Sequence, residues 1–334
     1  MGNDKKPDEF EIIARYFAPL AAGEPGALGL LDDAALLNPP PGRQLVVTTD
    51  SLSAGVHFPA DEAASDIAAR LIGVNLSDLA AMGAEPWAYT LSLALPEDWQ
   101  HEFIEPFAEE LGRQQKHHSI HLVGGDTVAT KGPLTLTLTA IGTVADGQAL
   151  RRNGAQSGDD VYVSGSIGDA ALGLKVLKGE LTGLPASLAE HLLARYHRPQ
   201  PRVRLGARLF GIASAAIDIS DGLVADLGHI ARASGGGALL YVDRVPYSAA
   251  ALAAIALDPA LVEAAIIGGD DYELLFTAPA SLAGRIEDLS LEIDLALTRI
   301  GSINNGNVDN AEPVRVADGN GGELSIKTGG YRHF

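Results

Sequence analysis

Apolar and polar positions alternate most cleanly near residue 137, where Leu134, Leu136 and Leu138 interleave with Thr135, Thr137 and Thr139. A period of two with one apolar side predicts a strand over Leu134–Ile141 that buries its leucines. At the N-terminus the interval changes. Phe10, Ile13, Tyr16, Phe17 and Leu20 recur at helical spacing, which predicts an amphipathic helix over 8–20. Between these, strands are expected at Leu45–Thr49 and Trp87–Leu95, and a short one at His121–Val123 that ends at Gly124-Gly125-Asp126. Helices are expected over 64–82 and Gln100–Gln115, with Pro106 a mark against the second.

The mixture of elements continues beyond Ala145-Asp146-Gly147 and the turn-rich stretch Asn153–Asp160, which read as a boundary. Two domains are therefore expected, 1–148 and 149–334, each α/β (α+β) in class. Asp159-Asp160 reads as a surface turn. In the second half strands are expected at Val161–Ser164, 215–219, 238–243 and Tyr272–Ala278. Helices are expected near 169–178, 187–196, 222–233 and 248–256.

Charge narrows the function classes. The 334 residues carry 43 Asp+Glu against 24 Lys+Arg, a net charge of −19. An acidic surface repels nucleic-acid phosphates and anionic membranes, so neither is an expected partner. The absence of cysteine excludes thiolate nucleophiles, Fe–S clusters and Cys-ligated zinc. No run approaches the length of a membrane helix, and the acidic N-terminus lacks the apolar core of a signal peptide, so a cytoplasmic protein is expected.

The usual nucleotide loops are missing: there is no GxxxxGK[ST], no GxGxxG after a strand, and no HExxH or GxSxG. What recurs is Asp at the end of an expected strand, beside Gly, Ser or Thr: Asp50, Asp126, Asp218 and Asp221. Asp32-Asp33 lie in a loop, and Asn75 and Asp78 lie one helical turn apart. Carboxylates and hydroxyls without soft ligands suit a hard cation, Mg²⁺ above all, which binds through a few carboxylates and substrate phosphates. Each Asp taken singly also fits a turn former or helix cap. His57 is either a surface loop residue or a ligand contact. Arg151-Arg152 is either a surface pair or a phosphate fork. His117-His118-Ser119-Ile120-His121 leads into a strand and makes a poor metal motif.

In their order the motifs resemble the thiamine-monophosphate kinases, within the aminoimidazole ribonucleotide synthetase-like superfamily. The segments that carry the resemblance are EFEIIARYF, DDAALL, TTDSLSAGVHF, VNLSDLAAMGAEP, LVGGDT, ALRRNGAQSGDDVYVSG, HRPQPR, AIDISDGLVADLGHI, GGDDYELLF and GYRHF. They run from residue 9 to the C-terminus. The resemblance implies a two-domain fold whose N-terminal domains pair across a homodimer into an intersubunit barrel. It implies transfer of the γ-phosphoryl of ATP to thiamine monophosphate. It implies several Mg²⁺ ions on Asp33, Thr48, Thr49, Asp50, Asp78, Asp126, Asp218 and Asp221, with Asp50 and Asp126 the most sensitive positions. Nucleotide contacts are implied at Gly125, Asp126, Arg152 and Ser220, and substrate contacts at His57, Asp270 and Tyr331. Four positions depart from the family pattern: Leu31 stands for a usual Gly, Asp270 for Glu, His118 for a common Tyr, and Thr328 for a Trp that some relatives carry.

Overall fold

The computed structural model describes residues 8–99, 101–305, 313–318 and 322–324, so Tyr331 lies outside the described residues. The chain divides into two units, Met1–Leu79 with Ala84–Gly147, and Ala80–Gly83 with Gln148–Phe334.

In the first unit, α1 (Glu9–Ile12) is capped by Asp8 in a reciprocal pair with Glu11. The expected single helix over 8–20 does not stay α. It widens to a π turn over Ile13–Phe17 and tightens to a 3-10 turn over Ala18–Gly23, where Pro19 and Gly23 cannot sustain an α-helical ladder. The remaining elements are β1 (Arg43–Ser53), α2 (Ala64–Ala81), β2 (Glu85–Pro96), α3 (Ile104–His118), β3 (His121–Thr130) and β4 (Thr135–Ala145). Pro106 is accommodated because it falls in the first turn of α3, where its missing N–H has no helical partner to lose.

These strands form one sheet in the order β1-β4-β2-β3. β4 is antiparallel to both neighbours, and β2 and β3 are parallel, joined through α3. The alternation is as expected: Leu136 and Leu138 are buried, and Thr135, Thr137 and Thr139 are not. Gln115 ties four segments together. It accepts from the Tyr89 hydroxyl at 2.8 Å and the Leu122 amide at 3.2 Å, and donates to the Leu20 carbonyl at 2.9 Å.

Two strands run further than the sequence pattern predicts. β1 continues to Ser53 and β3 to Thr130, so Asp50 and Asp126 are strand-interior residues rather than strand-end residues. Their neighbours are polar, and polarity hides a strand whose outer face needs no apolar side chains.

The second unit contains β5 (Asp159–Ser164), α4 (Asp169–Leu177), α5 (Ala186–His197), α6 (Val203–Gly206), β6 (Ala215–Asp218), α7 (Leu223–Ala233) and β7 (Gly237–Tyr241). It continues through α8 (Ala249–Leu257), α9 (Leu261–Ile267), β8 (Leu274–Pro279), α10 (Ala283–Ile293), β9 (Leu297–Asn304), β10 (Val314–Ala317) and β11 (Glu323–Leu324). The sheet order is β11-β10-β7-β9-β5-β8-β6. Every residue of β5 and β6 is buried, because apolar clusters cover both faces. Val161, Val163, Ile217 and Leu275 pack with α7 on one side, and Tyr162, Ala216 and Phe276 with α10 on the other. Asp159 and Asp160 are buried rather than a surface turn. Asp159 accepts from the Gln156 amide and the Ser214 hydroxyl, and Asp160 pairs with Arg299 at 2.5 Å.

β5 and β6 both run antiparallel to β8. Their C-terminal ends therefore meet the N-terminal end of β8 at one edge of the sheet. Glu273, fully buried, is the anchor there. It accepts from the Ser164 hydroxyl at 2.5 Å, from Arg195 at 2.9 Å and from Arg202 Nε at 2.6 Å, with Arg202 Nη2 closing a fork. Arg202 ends the HRPQPR segment and Glu273 lies in GGDDYELLF, so two distant motifs are one ion cluster. Glu273→Gln strands two guanidinium groups around a neutral amide. We expect it to cost about 3 kcal/mol in guanidinium chloride unfolding.

Candidate active site

The expected site residues fall into three groups. The first lies on β1 and α2. The pleat sends Thr48 and Asp50 to the face that α2 covers, and the Thr48 hydroxyl donates to Asp78 of α2 at 2.5 Å. Burial, and then the charge of Asp78, push the Asp50 carboxyl up to about 6. Thr49 points the other way, where its hydroxyl donates to the Leu138 carbonyl and accepts from Thr139. Toward Asp50, Thr49 can offer only main chain. Asn75 is fully buried one turn before Asp78. Its amide donates to the Leu71 carbonyl at 2.9 Å, while its Oδ1 has no hydrogen-bond partner. Two carboxylates held close, with oxygen donors beside them, fit a hard cation such as Mg²⁺.

His57 follows β1. Its Nδ1 accepts from the Ser53 amide at 3.0 Å, which leaves the proton on Nε2. The loop thus fixes the ring as a donor.

The second group lines a cleft of about 350 Å³ along β3. Ile13, Phe17, Leu30 and Leu93 supply an apolar wall, and Asp32, Asp33 and Asp126 the carboxylates. Gly124 and Gly125 differ in role. A Cβ on Gly125 would stand 2.0 Å from the Leu91 carbonyl oxygen, whereas one on Gly124 would meet nothing nearer than a Thr90 methyl at 3.8 Å. Close pairing with β2, not ligand approach, requires Gly125.

These two groups do not converge within one chain. Asp50 is level with Leu138, Leu91 and Gly125 across the sheet, and Asp126 with Ser92, Thr137 and Ser51. The two carboxylates stand on opposite edges, three strand spacings or about 14 Å apart, and on opposite faces.

The third group belongs to the second unit, where the loop after β6 lies against the turn before β8. Asp226, in the first turn of α7, accepts from the amides of Ser220, Asp221 and Gly222 at 3.1–3.2 Å and so shapes the loop that carries Ser220 and Asp221. Burial and the charges of Asp218 and Asp221 push Asp226 up to about 8, against the pull of those amides. Carboxylate oxygens of Asp221 and Asp226 and a ring nitrogen of His229 lie within 4.8 Å of one another. Burial, Arg232 and Arg152 hold His229 below its ordinary range, which places Arg152 in the same neighbourhood. Asp226 and His229 were within reach of the sequence, inside AIDISDGLVADLGHI, but nothing local marks a helix-turn Asp as a loop organiser.

The Gly268–Glu273 turn presents Asp270. Asp270 donates its amide to Ser220 O at 3.0 Å, and Tyr272 its amide to Ile219 O at 2.9 Å. Asp270 and Tyr272 both have positive φ, 73° and 50°, at about 1 kcal/mol or more each for an L residue. This is why β8 begins at Leu274 and not at Tyr272 as the pattern predicts. Asp271, between them, accepts from the amides of Gly168 and Ala170. Sequence reasoning assigned no role to Tyr272, Glu273, Arg195 or Arg202.

Residues 31–144 match the family model described as AIR synthase related protein, N-terminal domain. The chain is 41% identical to the thiamine-monophosphate kinase of Salmonella typhimurium over 327 residues, 98% of each protein. Among solved structures it is similar to the thiamine-monophosphate kinase of Stenotrophomonas maltophilia, with 44% identity and a TM-score of 0.82 over 93% of this chain and 98% of that one. It is also similar to a structure described as AaThiL complexed with AMPPCP and TMP, with 30% identity and a TM-score of 0.77 over the same shares.

Two outcomes are expected. In unfolding measurements Gly125→Ala costs about 2 kcal/mol, and Gly124→Ala stays within about 0.5 kcal/mol of the parent. In the metal-free protein the Asp50 side-chain carboxyl resonance titrates near pH 6, and Asp78→Asn moves that midpoint down. A carboxyl whose folded-state pKa exceeds its unfolded value of 3.8 favours the fold at low pH, so its contribution fades as pH rises from about 4 through about 6.

Proposed function

The chain belongs to the thiamine-monophosphate kinase family, and on that premise we propose how it phosphorylates thiamine monophosphate with ATP, yielding thiamine diphosphate and ADP. The observation that carries the site reading is the Thr48–Asp50–Asp78 cluster, two crowded carboxylates whose mutual repulsion a bound cation would relieve.

Mg²⁺ would be held by Asp50, Asp78 and Thr48 on one side of β1, with Thr49 contributing main chain. Asp33 and Asp126 would serve at the cleft, and Asp218 and Asp221 in the second unit. Bound there, the ions would neutralise phosphate charge. The cleft supports nucleotide contacts at Gly125 and Asp126, since an apolar wall suits a base and a carboxylate lip suits a metal-bound phosphate. Arg152 and Ser220 would contact phosphate from the second unit. His57 would offer its Nε2 proton to the acceptor, and Asp270 would accept from it. Tyr331 is retained as a third substrate contact on the resemblance alone.

In the reaction, an oxygen of the acceptor phosphate bonds to the γ-phosphorus while the bond from that phosphorus to the β–γ bridging oxygen breaks. ADP leaves with that oxygen. The acceptor oxygen needs no general base, because a phosphate monoester with a second pKa of about 6 is already largely ionised at neutral pH. Catalysis then rests on positioning and charge neutralisation.

The same geometry supports a homodimer. No single ion spans the 14 Å between Asp50 and Asp126 within one chain, and β1 leaves Leu45 and Val47 exposed. Pairing of two first units through the face that carries Leu45 and Val47 would cover those side chains. The described residues contain no helix long and apolar enough to cross a membrane, in keeping with a proposed cytoplasmic location.

The test is product formation from ATP, Mg²⁺ and thiamine monophosphate, with free thiamine as control. Stoichiometric ADP and thiamine diphosphate are expected from the monophosphate, and none from thiamine. Asp50→Asn and Asp126→Asn should each lower kcat by about 10²-fold or more. Near-normal turnover of both at saturating Mg²⁺ overturns the metal assignment.

A further inference from the structure

The turn before β8 holds two non-glycine residues in the left-handed region, one position apart, and the second is a tyrosine with only 9% of its surface exposed. A bulky aromatic residue pays most for such a backbone. Running β8 back through Tyr272 would relieve the strain. It would also unwind the turn in which the Tyr272 hydroxyl reaches Asp270 Oδ1 at 3.2 Å.

The surroundings hold the turn from both sides. On one, the amides of Asp270 and Tyr272 bond the carbonyls of Ser220 and Ile219, and a Cβ on Gly269 would stand 2.0 Å from Ser220 O. On the other, Asp271 accepts from Gly168 and Ala170, and Glu273 is locked by Ser164, Arg195 and Arg202. Alternate side chains therefore divide the work. Asp271 and Glu273 fasten the segment, which leaves Tyr272 facing Asp270.

We propose that Tyr272 is a positioning residue: its hydroxyl fixes the Asp270 carboxylate in the orientation that receives thiamine monophosphate. The inference rests on the reading of Asp270 as an acceptor contact. The hydroxyl donates to Asp270 Oδ1 and so orients the carboxylate that the substrate meets. A side chain with only two rotatable bonds is restrained by a single such hydrogen bond.

The experiment is a double-mutant cycle on the full-length enzyme with Tyr272→Phe and Asp270→Asn, read as KM for each substrate, kcat and the unfolding midpoint. Tyr272→Phe should raise KM for thiamine monophosphate about tenfold, more than it lowers kcat, with KM for ATP and the midpoint unchanged. Added to Asp270→Asn, it should change that KM less than twofold. If Asp270→Asn raises KM and Tyr272→Phe does not, the positioning role is wrong and the Asp270 contact stands. If Asp270→Asn leaves KM unchanged, the contact itself is wrong and the inference falls with it. A lowered midpoint for Tyr272→Phe makes the hydroxyl a determinant of the fold and overturns the inference as well.

Discussion

One buried carboxylate, Glu273, sets the frame on which much of the second unit's site depends. It has no water to face, so its charge has to be met within the protein, and Arg195, Arg202 and Ser164 meet it. Those partners come from α5, from the segment before α6 and from the end of β5. Fixing one carboxylate therefore fixes three chain segments against the start of β8. The consequence reaches the neighbouring residues, because a turn with two left-handed side-chain-bearing residues survives only where the chain on both sides is already determined. Replacing such a cluster by apolar residues can match its stability, but would not give the directionality of a forked guanidinium on a carboxylate.

Against that frame several carboxyls of the candidate site are arranged to be uncomfortable. Asp50 beside Asp78, and Asp226 beside Asp218 and Asp221, are carboxyls pushed toward neutrality by burial and by one another. The fold tolerates this because the burden is local, and in the second unit apolar clusters cover both faces of the sheet. The same crowding makes the groups good ligands, since a cation that enters relieves repulsion as well as forming bonds.

Much of the fold was legible from periodicity. The leucine–threonine alternation of β4, the long helix α2 and the strands β2, β5 and β6 stand close to where the pattern places them. The strand ends were not. Asp50 and Asp126 looked like residues after strands because their flanks are Thr, Ser and Gly. Those residues still pair in the ladder, and only the partner strand reveals it. Buried Asp159 and Asp160 misled for a related reason, since a carboxylate satisfied by Arg299 or Ser214 from far along the chain reads locally as a turn. The motif resemblance reached the activity directly. It gave no hint that HRPQPR and GGDDYELLF meet at Glu273, or that Asp226 organises the loop after β6, because both are long-range or orientational facts.

Face parity is the most informative of the hidden facts. A strand assigns alternate residues to opposite sides, so Thr48 and Thr49 cannot both turn hydroxyls toward Asp50. Applied across the sheet, the same rule separates Asp50 from Asp126 by face as well as by edge. Among the described residues the four-stranded sheet has open outer strands, and a candidate ligand carboxylate stands on each of them. The exposed Leu45 and Val47 on β1 point the same way, since an apolar edge strand in an acidic protein gains most by being covered. The proposed pairing of identical sheets would cover these two side chains, which face away from Asp50, and would leave the α2 side of β1 to the carboxylate pair.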